Sequence, residues 1–300
     1  MNRKIHLFIV KVAVALLALP VSYALPTPGQ SQARQQTKPI QSSSQADNSD
    51  DDLINPDRPG IADGSAVIGP KKIQVESGFQ EEFRRQENTR EHTLFFPTLL
   101  RIGITSRCEA RIESNTFTRT SDFDSSNITH HASGLAPFSL GIKYQIEDSK
   151  GLKHPSVGAI ARIFPDWGTS VFRTHHVTGD LRLAADWDFA PKMKLSLNPN
   201  AGIGVYEDDQ GREFTAKLLA ATLNYLPSKR LNPFIDFGLQ APEEKKGNSS
   251  VIVDAGVAYI IGRNLQLDAS VGAGAHGNTP PHPFVSFGVS FRSNFVRHGK

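Results

Sequence analysis

Residues Asn264 to Gly274 read Asn-Leu-Gln-Leu-Asp-Ala-Ser-Val-Gly-Ala-Gly. Apolar Leu265, Leu267, Ala269 and Val271 alternate with Gln266, Asp268, Ser270 and Gly272. Successive side chains of a strand point to opposite faces, so this period of two builds a strand with one oily face and one wet face. The pattern returns between Lys71 and Ser293 with turn residues between copies, in about twelve segments, mostly near the 9–11 residues that a tilted membrane strand needs. A chain built almost wholly of such strands behind an export signal most simply closes into a barrel. The expected fold is all-β: an antiparallel up-and-down transmembrane β-barrel of about twelve strands.

The export signal is read from the first residues. Arg3 and Lys4 supply charge, Val12 to Leu19 an apolar stretch, and Ser22-Tyr23-Ala24 small residues for cleavage. Residues 1–24 are therefore expected to be a signal peptide. The lone Cys108 excludes both lipidation after the signal and an intramolecular disulfide framework. No later stretch has the apolar length of a spanning helix. Residues 25–56, rich in Gln, Ser, Pro and Asp, cannot bury enough apolar surface to fold alone and are expected to form a disordered polar tether. Residues 57–70 make a turn-rich lead-in, 71–293 the barrel and 294–300 a C-terminal tail.

The connections and the rings support the barrel. Thr105-Ser106-Arg107, Ala190-Pro191-Lys192 and Ile261-Gly262-Arg263 read as tight turns after the second, sixth and tenth strands, while the polar stretch Arg119 to Gly134 reads as the longest loop. Short turns on one rim and long loops on the other are the outer-membrane pattern. Tyr144, Trp187, Phe189, Tyr225, Tyr259 and Phe291 fall on the oily face near the short-turn ends, where an aromatic girdle meets the membrane–water interface.

Two runs are distinctive: Asp57-Arg58-Pro59-Gly60-Ile61-Ala62-Asp63, and the following Ile73-Gln74-Val75-Glu76-Ser77-Gly78-Phe79. With Leu99 to Thr105, Ser139 to Tyr144 and Leu265 to Ser270, they resemble the bacterial outer-membrane family named for the MetA pathway of phenol degradation. The resemblance covers nearly everything after Asp57. It implies an outer-membrane barrel and, loosely, solute passage, with no particular substrate. The chain departs from the family's pattern at its end, because Arg292 to Lys300 follow the last strand aromatic, Phe291.

The charges are informative by their face. Glu76, Arg101, Arg111, Glu113, Lys143, Arg162, Arg182, Asp186, Asp188, Asp236, Asp254, Asp268 and Arg292 all take the non-oily parity and are expected to line the lumen, because charges cannot face lipid cheaply. Two roles fit them, a structural ion-pair network or a solute-selecting lining. Gly141 takes the inward parity, and Gly141→Arg should fold better than Leu183→Arg if it faces a wet lumen with room. If the lumen is plugged, residues 57–70 are the first suspect for the plug.

Other chemistry is weaker. Gly272-Ala273-Gly274-Ala275-His276-Gly277 matches a dinucleotide fingerprint, but Thr279-Pro280-Pro281 follows where a helix is required. His130-His131 and His175-His176 are read as solvated loop residues, with no metal and no cofactor expected. A serine hydrolase would need Ser, His and an acid at the membrane face. The sequence has no nucleophile-elbow glycine frame and places no His on the lipid side, so no enzyme is expected. The formal net charge of +3 is small and scattered, which gives no reason to invoke nucleic acid. The expected function is passage or uptake of a small solute, amphipathic or aromatic in character, across the bacterial outer membrane. The alternatives are a non-conducting structural barrel and, less favoured, a membrane-embedded hydrolase. The expected partners are outer-membrane lipid, the barrel-assembly machinery and the solute.

Overall fold

The computed structural model describes residues 52–86, 89–123, 129–208, 210–242, 244–276 and 282–295. The expected signal peptide, residues 25–51 and Gly277 lie outside them. Twelve barrel strands follow in chain order. β1 is Lys72–Gln86. β2 joins Thr89–Phe95 to Thr98–Gly103, β3 joins Cys108–Ser114 to Phe117–Phe123, and β4 joins Thr129–Leu135 to Phe138–Glu147. β5 is Ser156–Phe164, β6 Thr178–Ala190, β7 Leu195–Glu207 and β8 Glu213–Tyr225. β9 is Leu231–Gln240, β10 Ser250–Ile261, β11 Leu265–His276 and β12 His282–Asn294. Each pairs antiparallel with the next, and β1 pairs with β12 from Lys72↔Asn294 to Phe83↔His282, which closes the sheet. Closure leaves no open barrel edge for backbone groups to face lipid.

Burial is inverted relative to a water-soluble domain. Leu183, Ile235, Phe287 and Val271 stand exposed on the outer face, while Gln74, Glu76, Arg101, Glu109 and Lys143 are buried inside. The six girdle aromatics are all outward and exposed, and the Trp187 and Phe189 rings lie 5.8 Å apart. Lipid replaces water around the oily face, so the pattern of period two satisfies both solvents at once.

The structure corrects the reading of Arg119 to Gly134 as a loop. Phe117–Phe123 and Thr129–Leu135 are paired strand, continuing β3 and β4 past a bend. The bend has local causes. Pro97 and Pro137 carry no N–H for the ladder. Between Thr98↔Ser114 and Phe95↔Thr118, β3 spends one more residue than β2, a β-bulge. Its Thr116 has φ 39°, held by its N–H to Ser114 Oγ (2.8 Å) and its hydroxyl to the Phe96 carbonyl (2.7 Å). Beyond the bend neither face carries an apolar stripe, so the segment has no alternation to signal a strand.

Candidate functional site: a charged plug in the lumen

Residues 52–70 run inside the barrel and form a plug. The segment starts earlier than the expected lead-in: Ile54 is buried and donates its N–H to the Arg263 carbonyl (2.8 Å), while Arg292 holds the Asp52 carbonyl at 2.6 Å. The proposed tether therefore cannot extend to residue 56. Ala62, Ser65 and Ile68 are also buried.

Complementary charge seats the plug. Asp57 meets Lys143 Nζ at 2.7 Å and sits beside Arg111 and Arg101, one cation from each of β4, β3 and β2. Burial by itself raises the Asp57 carboxyl, but these cations outweigh it and hold the group well below the usual carboxylate range. Asp63 is lowered in the same way: burial opposes, and Arg111 at 2.8 Å dominates. Between the two carboxylates in the chain, Arg58 projects to β11 and β12. Its guanidinium donates to Asp268 (3.0 Å) and Ser286 (3.1 Å), and its N–H to Glu76 (2.8 Å). Arg101 ties plug to wall, donating to Glu76, Glu109 and the carbonyls of Asn55 and Ala66.

Backbone groups of the plug are satisfied by wall side chains, as buried polar groups must be. Ile61 N–H donates to Asp236 (3.0 Å), Asp63 N–H to Asn200 (2.9 Å) and Ile68 N–H to Glu109 (2.9 Å). Ser65 donates both its N–H (3.1 Å) and its hydroxyl (2.6 Å) to Asp186.

The thirteen charged candidates separate by position. Glu76, Arg101, Arg111, Lys143, Asp186, Asp236 and Asp268 bond the plug directly. Arg182 reaches Asp63 at 3.5 Å and also touches Asp180, while Arg162 pairs with both Asp180 and Glu113. Arg292 holds the plug's start. Asp254 pairs in register with Asp236 across β9 and β10. Asp188 is exposed near the short-turn rim and joins none of these. Glu109 and Asp180 were missed, although each has the inward parity of Arg111 or Arg182, two residues on. Gly141 is tight: a Cβ there would lie 3.0 Å from Arg162 Cγ and 3.1 Å from the Ala161 carbonyl, so a larger side chain requires its neighbours to shift.

A family model described as "Putative MetA-pathway of phenol degradation" matches residues 56–293, from the plug to the last strand. The chain belongs to this family. No curated protein matches it in sequence. The crystal structure of an outer-membrane channel from Pseudomonas putida F1 superposes with a TM-score of 0.57 at 11% identity, over 78% of this chain and 99% of that one. The β domain of the Bordetella autotransporter BrkA superposes with a TM-score of 0.50 at 13% identity, over 74% and 99%. At such identities the likeness speaks for the barrel fold. The family member is a protein of the bacterial outer membrane.

At the long-loop rim, His175 and His176 are exposed loop residues, as expected, and both also meet a carboxylate. Their Nδ1 atoms lie 2.8 and 3.0 Å from the two oxygens of Glu207, which also accepts both backbone N–H groups. The carboxylate is 32 and 31 residues away in the chain, so the pair alone gave no sign of it. Among the described residues no cluster of His, Cys, Asp and Glu has the geometry to hold a metal ion.

Proposed function

We propose that the protein passes a small amphipathic or aromatic solute through the outer membrane beside its plug. The observation that carries this reading is a cavity of about 280 Å³ on the long-loop side of the plug. Leu99, Ile252 and Phe284 give it an apolar part, and charged side chains of plug and wall, among them Arg58, Arg111 and Asp254, line most of the rest. A ring or short alkyl body with one polar head fits such a lining better than a fully hydrated ion or sugar. Twelve strands fall between the eight that side chains fill and the 16–18 of open porins. The plug occupies much of that intermediate lumen, which favours compact solutes. Export by a cleaved signal and insertion by the assembly machinery into outer-membrane lipid belong to the same proposal.

The test is uptake by liposomes carrying the pure protein, in excess of uptake by protein-free liposomes. Phenol or benzoate should enter faster than an equally small sugar such as arabinose. Equal entry of all three would remove the amphipathic selectivity, and entry of none would leave a non-conducting structural barrel.

A further inference from the structure

We infer that the plug stays seated while solute passes, so that it forms one wall of the route instead of a stopper that leaves. The inference rests on the solute-passage reading above. It starts from how the barrel is shaped around the plug. A Cβ at Gly158 would lie 2.6 Å from the Ser65 carbonyl, and one at Gly238 would lie 2.9 Å from Ile61 Cγ2. Gly103 takes the Gly69 carbonyl, and Gly288 the Arg58 guanidinium, with no space for any side chain. These contacts come from β2, β5, β9 and β12, so the mould surrounds the plug.

The polar contacts surround it as well. Partners of residues 52–70 come from β1 (Glu76), β3 (Glu109), β6 (Asp186), β7 (Asn200), β9 (Asp236) and β11 (Asp268), among others. A segment that swings out needs a bonded side to act as a hinge and a weak side to part. Here strands all round the barrel would have to release the plug together, and Asp186, Asp236 and Asp268 would each lose a plug donor while still buried inside. The cavity meanwhile is bounded by the plug itself, through Asp57 to Ile61 and Asp63. A solute in it touches Arg58 and Ile61 as it touches Phe284. Those plug residues thereby become determinants of which solute passes.

A disulfide can decide this. The Cβ of a residue replacing Gly238 would stand 3.9 Å from Ile61 Cβ, inside the usual disulfide span of about 3.5–4.5 Å. The close neighbours of that Cβ are all Ile61 side-chain atoms, which Ile61→Cys shortens. In a Cys108→Ser background, the Ile61→Cys, Gly238→Cys protein is reconstituted, and phenol uptake in excess of that by protein-free liposomes is measured oxidised and reduced. Uptake that is the same in both states supports a seated plug. Uptake lost on oxidation and restored by reductant overturns it. If no form, wild type included, passes phenol, the solute-passage reading fails and a second measurement decides the plug. A single cysteine at the fully buried Ser65 should stay unreactive to a membrane-impermeant maleimide in outer-membrane vesicles, with and without phenol. Labelling that phenol accelerates would show the plug leaving its seat.

Discussion

Asp57 is where three strands and the plug converge, so its loss should be felt beyond its own position. Asp57→Ala leaves Arg101, Arg111 and Lys143 facing one another with one fewer anion between them. Breaking a buried pair from one side costs about 3–5 kcal/mol. The variant should lose its fold at a distinctly lower temperature in the unheated-versus-boiled gel shift, and protease should cut within residues 52–70. A cleavage pattern and gel shift like those of the wild type would show that the carboxylate is not the anchor. On the outer face Leu183→Arg should also destabilise, by about 2–4 kcal/mol for a mid-membrane arginine. The same substitution at Gly141 looks mild from the sequence, because the position takes the wet parity. The structure reverses that expectation, since Arg162 Cγ and the Ala161 carbonyl already crowd it. Both variants should assemble poorly, and easy folding of Gly141→Arg would mean the inner wall yields more than its geometry implies.

The elements separate into those the sequence announces and those it hides. Strands such as Leu265–His276 are legible because lipid outside and polar groups inside impose strict alternation. The upper halves of β3 and β4 are not, because above the bend both faces are wet and Thr120, Asp122, His130 and Ser133 carry no period. The Asp-Arg-Pro run is conspicuous, and its turn-rich composition already marks it as the suspect plug. Its partners are hidden, since Asp186 and Ser65 are 121 residues apart in the chain. Glu109 was within reach of parity alone. Asp186 shows what this changes: its bond to Ser65 ties it to the plug, and its bond to Asn198 ties it to the neighbouring strand β7. Asp186→Lys should therefore loosen the plug and lower heat-resistance more than it shifts ion selectivity. Deleting residues 52–70 should raise single-channel conductance in planar bilayers, because the wall then encloses an open lumen. Conductance no higher than that of the intact protein would show that something else closes the barrel.

For the whole molecule, the position of the charges fixes how stability should respond to the medium. Asp57 and Asp63 have carboxyls lowered in the folded protein, so their contribution is complete above the unfolded value near 3.9 and is lost only as pH falls through the lower folded value. Between about pH 5 and 8 these two groups keep their charge in folded and unfolded chains alike, so neither makes the plug's protection from protease vary across that window. Their own contribution should be lost only in stronger acid. Salt gives an independent check, because exposed pairs are screened over about 8–10 Å near physiological ionic strength while buried ones are screened much less. Arg101 is 1% exposed and Lys143 fully enclosed, so raising salt should leave the plug's protection unchanged. The exposed Lys72–Asp52 pair at the start of the plug lies outside that protection, so salt should free Asp52 first. A plug that becomes cleavable throughout residues 52–70 in high salt at neutral pH would mean that water reaches the charge network, and the seat would then be electrostatic at its surface instead of moulded in its interior.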